Sequence, residues 1–238
     1  MSGENRSVQR EILTYDAGRQ LLEKRELAEE ICLRLTVGGR DAGTLSCSPW
    51  DPEEAVIGRL FTEGMIRKYG DVRSLEIRED RVTVETAAAE PGPVPAPAPE
   101  AISSEEIISL SAQLEERSAL FRRTGGVHSA ALARNGRIFL SREDVSRRAA
   151  LDRLAGACLS EELPMAGSVL VFSGRVAGEI LEKAARMGCT AVIARSAPTD
   201  YACRLAEKAG ICLVGFARGR QFNVYAHPER LSVSPKAR

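Results

Sequence analysis

Three short segments gather the residue types that hold anions. Phe172-Ser173-Gly174-Arg175 and Arg195-Ser196-Ala197-Pro198-Thr199 each end an apolar run and precede a helical pattern. Their hydroxyls, a glycine and helix-start amides suit a phosphate or another anion. Arg175 and Arg195 would add charge-assisted contacts. Helix capping by Ser and Thr would account for either segment taken alone. The third segment, Phe216-Ala217-Arg218-Gly219-Arg220-Gln221, directly follows another apolar run. A ring beside two guanidinium groups could stack on a base and pair with phosphate. A solvated basic turn is the plainer alternative.

Two further segments carry polar chemistry. In Thr124-Gly125-Gly126-Val127-His128, paired glycines would let backbone approach a ligand closely. A lone histidine there is more often a structural hydrogen-bonding residue than a catalyst. Glu143-Asp144-Val145-Ser146-Arg147-Arg148 places acids at a helix start, where they complement the macrodipole and act as a cap. The cysteines are Cys32, Cys47, Cys158, Cys189, Cys203 and Cys212. No C-x-x-C pair occurs and no His stands at ligand spacing, so neither a zinc site nor a dithiol pair is expected. Most of these thiols sit in apolar runs and read as buried. Cys47 precedes Ser48-Pro49 at a strand-to-helix turn, where a helix N-terminus could lower its pKa. It is the weak candidate for a reactive thiol.

The elements that must position these residues fall into two patterns. Residues 31–37 and 44–47 read as strands around Gly38-Gly39. Asp51, Pro52 and Glu54 then offer a capping box for a helix that Gly64 can close. Residues 73–78 and 81–86 form a hairpin at Glu79-Asp80. The stretch AAAEPGPVPAPAPEA, with five prolines, reads as an extended linker and a domain boundary. The division is 1–86 as a smaller β-rich α+β domain, 87–102 as linker and 103–238 as an α/β domain. In that second part Ser103 and Glu106 open a helix, and Asn135-Gly136 is a type I′ hairpin signal between strands 127–133 and 137–141. A helix over 144–158 follows. Strands 168–172, 190–194 and 211–216 then alternate with helices 176–187 and 199–209, before a last strand 221–225. This alternation implies a mostly parallel sheet covered on both faces. In such sheets ligands bind beyond the carboxyl ends of the strands.

Composition narrows the function. The 238 residues carry 33 basic and 33 acidic side chains, a balance that argues against a dedicated nucleic-acid binder. Of the basic residues 28 are Arg and five are Lys, a skew that codon bias or bidentate anion recognition would equally produce. No apolar run is long enough to span a bilayer and no signal-peptide core is visible, so a cytoplasmic protein without a membrane partner is expected. The G-x-G-x-x-G, P-loop, G-x-S-x-G and H-x-E…P-C-x-x-C signatures are absent.

Taken in order, these segments resemble the formate dehydrogenase accessory sulfurtransferase family, FdhD/NarQ, over about residues 29–231. Residues 143–153, EDVSRRAALDR, are similar to its E-D-V-G-R-H-N-A-x-D-K segment. TGGVHSA at 124–130, Ser173-Gly174-Arg175 with Glu179, SAPT at 196–199 and LVGFARG at 213–219 match further motifs. Ser48, Pro49, Asp51, Glu63 and Gly64 match its N-terminal S-P-x-D…E-G pattern.

The resemblance implies a deaminase-like three-layer α/β domain without the deaminase zinc. It implies binding of molybdopterin guanine dinucleotide, with GDP as an analogue, and carries the cofactor stretch onto Phe216–Gln221. It also implies relay of sulfur from a cysteine desulfurase to that cofactor for a formate dehydrogenase, and a homodimer is compatible with it. The family carries its sulfur on a C-G-x-C-G loop before the TGG segment. Here that interval contains no cysteine. Ser146, Arg148 and Ala149 also replace the family's Gly, His and Asn. The expectation is therefore a cofactor-binding accessory protein without the persulfide loop. The alternatives are sulfur transfer through a displaced thiol and a non-catalytic interaction protein.

Overall fold

The computed structural model describes residues 6–87 and 100–232. A two-stranded hairpin comes first, β1 (Ser7–Asp16) and β2 (Arg19–Ala28), turning at Ala17-Gly18. It has no counterpart in the sequence reading. A four-stranded sheet follows, built from β3 (Ile31–Val37), β4 (Arg40–Cys47), β5 (Val72–Arg78) and β6 (Arg81–Thr86) in the order β4-β3-β6-β5. Helix α1 (Pro52–Thr62) connects its halves. The glycine turn at Gly38-Gly39 and the Glu79 turn both use positive φ, as hairpins of this length require.

The larger part begins with β7 (Ile102–Ser103), α2 (Ser104–Arg117) and α3 (Ala119–Thr124). Then come β8 (His128–Arg134), β9 (Arg137–Asp144), α4 (Arg147–Ser160), β10 (Val169–Phe172) and α5 (Gly178–Arg186). The chain continues through β11 (Ala191–Ala194), α6 (Asp200–Ala209), β12 (Cys212–Arg218), β13 (Gln221–Ala226) and β14 (Leu231–Ser232). Six strands form one sheet in the order β13-β12-β11-β10-β8-β9. Its centre, β10-β11-β12, is parallel, while β8, β9 and β13 run antiparallel at the flanks. The parallel character is thus confined to the three strands that alternate with helices. Asn135-Gly136 makes the β8–β9 turn with both φ positive, so β9 returns beside β8.

Alternation of side chains across the strands builds two cores. Leu132, Leu170, Phe172, Val192 and Leu213 face α4, α5 and α6 on one side. Ala131, Val171, Ile193 and Val214 face Ile107, Leu110 and Leu114 of α2 on the other. This is the expected three-layer arrangement, helices on both faces of the sheet. Ser103 caps α2 by accepting the Glu106 amide at 3.0 Å, as its position predicts.

The capping box expected at α1 does not form. Asp51 adopts a left-handed conformation, with φ 43°, and its side chain caps nothing. Glu54 instead forks onto Arg142 of β9, with both oxygens at 2.8 Å from guanidinium nitrogens. Helix α1 lies directly on α4, and Ala149 and Leu159 share a core with the four-stranded sheet. Most of the expected linker, residues 88–99, lies outside the described residues. Its last residue, Ile102, forms with Ser103 a short strand pairing with Leu231–Ser232.

Candidate functional site

The topology brings all the candidate segments to one edge of the six-stranded sheet. Parallel strands β10 and β11 end level at Phe172 and Ala194, and β12 runs on past them in the same direction to Arg218. β8 is antiparallel to β10, with Phe172 opposite Ala130, so its first residue His128 reaches the same edge. Asp144, the last residue of β9, pairs with His128 and adds the final strand end.

Main-chain bonds stitch these ends into a continuous rim. The Ser173 amide donates to the Ser129 carbonyl and the Ser129 amide to Ser173 Oγ, each at 2.9 Å. The Arg195 amide donates to the Phe172 carbonyl at 3.0 Å, and the Val176 amide to the Ala197 carbonyl at 3.1 Å. The Phe216 amide reaches the Ser196 carbonyl at 3.3 Å, and Arg218 Nε reaches the Arg195 carbonyl at 2.8 Å.

Two of the expected anion-binding turns differ in detail. Helix α5 starts at Gly178, so Ser173-Gly174-Arg175 is not its first turn, and no side chain caps it. Gly174 has a steric role: a Cβ there would stand 2.9 Å from the Phe172 ring and 3.0 Å from Arg147 Cδ. Thr199 is a genuine cap, accepting the Ala202 amide at 3.3 Å. The glycines of the TGG segment are also occupied structurally. Gly125, at φ +65°, closes α3, and Gly126 packs on Ala28 of the first hairpin.

Phe216 is the conformational outlier of the rim. It stands at φ +52° inside β12, at an irregularity between Gly215 and Arg218. A bulky residue in the left-handed region is strained. Gly215 beside it is hemmed in by Pro198, Tyr225 and the Ser196 carbonyl. The result is an aromatic side chain held outward, 43% exposed, next to exposed Arg218, Gly219, Arg220 and Gln221, with Ala217 buried beneath. Arg147, Arg175 and Arg220 are exposed and have no ion-pair partner among the described residues, whereas Arg195 pairs with Glu115 at 2.8 Å. His128 lies 6.3 Å from the Phe172 ring. Burial, and next the Arg147 charge, hold its pKa below the usual value.

The Glu143-Asp144 segment does not cap the helix that follows it. Ser146 caps α4 through the Ala149 amide. Glu143 accepts the Leu120 and Phe121 amides at 3.0 Å, at the start of α3. Asp144 is fully buried and binds Arg153 through Nε and Nη2 at 3.1 and 3.0 Å, together with the amides of Ser48 and Ser146. Arg153 in turn donates to the carbonyls of Ser48, Trp50 and Asp51. A buried arginine thus fastens the loop before α1 to the end of β9. Sequence reasoning passed over it because an Arg inside a helix is ordinarily a solvated residue.

A second buried cluster joins Asp152, Lys183 and Thr62. Lys183 Nζ lies 2.7 Å from both Asp152 Oδ1 and Thr62 Oγ1. Burial pushes the Asp152 carboxyl up, against the pull of Lys183. The cluster borders a cavity of about 610 Å³ between β4, α1, α4 and α5.

The cysteines read as buried are mostly so. Cys47 is a correction: it is fully buried, and burial followed by the Asp144 charge pushes its thiol up to about 12. The strand-to-helix turn therefore does not expose a reactive thiolate. Cys32 is the exposed thiol, and Cys203 is half-buried.

The order and content of these segments find a match among known families. The model of the FdhD/NarQ family matches residues 28–93 and 85–232. The chain belongs to the FdhD/NarQ family. It is similar to the sulfur carrier protein FdhD of Bacillus licheniformis, 35% identical over 98% of this chain and 100% of that protein. It is also similar to the sulfur carrier protein FdhD of Geobacillus kaustophilus, 37% identical over 94% and 97%. A crystal structure described as a formate dehydrogenase accessory protein from Desulfotalea psychrophila superposes with a TM-score of 0.81. It is 27% identical and covers 95% of this chain and 99% of that one. The first alignment is longer than this chain, so that FdhD relative carries segments this one lacks.

Proposed function

We infer that this FdhD/NarQ protein binds molybdopterin guanine dinucleotide at the strand-end rim and presents it during formate dehydrogenase maturation. The observation that carries this reading is the convergence of exposed Phe216 with Arg218 and Arg220 beside the Ser173 and Ser196 turns. A guanine base has a face for the Phe216 ring, and a pyrophosphate matches guanidinium forks. Ser173, Gly174, Arg175, Ser196 and Thr199 would border the phosphates, with Gly125, Gly126 and His128 at the far side. The bound group would supply the molybdenum chemistry, while the protein holds and orients it. The reading places the protein in the cytoplasm, with a molybdoenzyme such as formate dehydrogenase as client.

Sulfur relay by the family's route is not part of this reading. The chain has no cysteine between Cys47 and Cys158, and a persulfide carrier needs an accessible thiolate. The similarity to sulfur carrier proteins favours a second reading, in which a displaced thiol receives sulfur from a cysteine desulfurase. The burial of Cys47 counts against it as that thiol.

Calorimetric titration with GDP tests the first reading. Binding that weakens on Arg218→Ala and Arg175→Ala supports it, and no binding at millimolar GDP overturns it. Incubation with a cysteine desulfurase and labelled cysteine tests the second: label on one cysteine supports it, and an unlabelled protein removes it.

A further inference from the structure

The cavity of about 610 Å³ between β4, α1, α4 and α5 is lined by helix faces and β4, not by the strand ends of the rim. Both parts of the chain contribute to it, and the buried Asp152–Lys183–Thr62 cluster forms its floor. No aromatic ring lines it, so it offers no stacking face to a base.

The floor leaves two groups uncommitted. Lys183 and Thr62 both bond to Asp152 Oδ1, each at 2.7 Å. The other oxygen, Oδ2, has no donor among the described residues, although Asp152 is only 1% exposed. Oδ2 is not sealed in the interior: among the described residues, the buried side-chain polar atom without a partner is Trp50 Nε1. Oδ2 therefore meets the cavity that Asp152 lines. The Lys183 ammonium carries three hydrogens. Two reach Asp152 Oδ1 and Thr62 Oγ1, and the third has no acceptor among the described residues. A carboxylate oxygen lacking a donor and an N–H lacking an acceptor thus belong to one ion pair. A buried polar group left unpaired is costly, so both favour an incoming partner.

Charge on the walls sets the class of that partner. Arg59 pairs with Glu63 at 2.9 Å, and Arg148 with Glu179 at 3.3 Å. Four acidic and four basic side chains line the cavity in all. So balanced a wall gives neither a polyanion nor a polycation a net attraction. A small ligand with one charge of each sign fits it. In an α-amino acid the ammonium and the carboxylate share one carbon, so a single molecule serves both groups of the floor with charge-assisted bonds. Glu182, exposed on the wall and without an ion-pair partner among the described residues, adds an acceptor for the ammonium.

We propose that this cavity binds a free α-amino acid, its ammonium on Asp152 Oδ2 and its carboxylate on the third hydrogen of Lys183. The site does not depend on the ligand at the rim.

Calorimetric titration of the full chain tests it, with glycine, L-serine, L-cysteine and L-glutamate as probes. At least one of them binds with a dissociation constant below about 1 mM. Ethanolamine and acetate each carry half of the charge pair, and they bind at least about tenfold more weakly, as does glucose. Thr44→Trp, at an exposed position of the wall, fills the cavity and abolishes binding without moving the unfolding midpoint. Glu182→Gln weakens binding about threefold. Asp152→Asn abolishes it, and should that variant fail to fold, the two surface variants carry the test. No binding of any probe at about 10 mM overturns the proposal. Binding that survives Thr44→Trp overturns the location. Ethanolamine, acetate or glucose binding as tightly as the amino acids overturns the choice of a zwitterion.

Discussion

Gly58 of α1 and Gly156 of α4 interlock the two helices. A Cβ on Gly58 would stand 1.6 Å from the Asp152 carbonyl oxygen, and one on Gly156 would stand 1.9 Å from that of Glu54. Each helix backbone therefore rests in the gap left by the other's missing side chain. Glycine in an exposed helix interior costs about 1 kcal/mol relative to alanine, so Gly→Ala ordinarily stabilises. Here the sign reverses. Gly58→Ala and Gly156→Ala must push the helices apart and should each destabilise by roughly 3 kcal/mol or more. Urea unfolding checks this, and a stabilised Gly58→Ala variant would show that the helices are not in backbone contact.

The buried Asp144–Arg153 pair should behave as a unit. Arg153→Met leaves a buried carboxylate without its cation and strips three carbonyls of their donor, at a cost of about 3–5 kcal/mol. Removing the charge as well, in Asp144→Asn with Arg153→Met, relieves the first penalty but not the second. The double variant should therefore be more stable than the sum of the singles by about 1–3 kcal/mol. Additive losses in denaturant titrations would deny the coupling.

How much of this was legible in the sequence follows from the range of each signal. The α2 cap at Ser103, the Asn135-Gly136 turn and the strands of the sheet are written locally, in capping residues, turn residues and apolar runs. The rim was legible too, because strand direction alone sends Ser173, Ser196 and Arg218 to one edge. The first hairpin was not. Most of its apolar residues stay exposed on the hairpin, so β1 and β2 lack the one-sided alternation that marks a half-buried strand. The Arg153 knot and the Gly58–Gly156 contact depend on pairs about a hundred residues apart, which local patterns cannot register. Asp51 and Glu54 looked like a capping box because the residue types fit, but Arg142 outcompetes the amide for Glu54.

The two histidines should pull the pH dependence of stability in opposite directions. His128 is depressed below 6.5 by burial, so the unfolded chain binds its proton first. Its contribution is intact above 6.5 and lost as pH falls through the folded value. His227 is raised, first by its bond to Glu229, so its contribution is present below 6.5 and lost as pH rises through its higher folded value. Unfolding at a series of pH values should show that His128→Gln flattens the acid side alone and His227→Gln the side above 6.5 alone. The opposite assignment would refute both environments.

Thiol reactivity should follow burial. Cys32 is exposed, whereas burial pushes Cys47, Cys158 and Cys189 each up to about 12 and raises Cys212 as well. Iodoacetamide applied to the native protein should label Cys32 first and Cys203 slowly, and the four buried thiols only after denaturation. Peptide mass spectrometry reads the order. Labelling of Cys47 as fast as Cys32 would mean that the loop before α1 opens readily and would return Cys47 to candidacy as a carrier.

Phe216 should separate stability from binding. Its φ of +52° costs about 1 kcal/mol that glycine would not bear, and its exposed ring contributes little packing. Phe216→Gly should therefore leave the fold as stable as before or more stable, by up to about 1 kcal/mol. If the ring is the platform for a guanine base, the same change removes a stacking contact of about 1–3 kcal/mol and weakens GDP binding some tenfold or more. Unfolding and titration on the same preparation give both numbers. A loss of stability with unchanged affinity would make the strained geometry a packing feature of β12 and remove the ring from the ligand site.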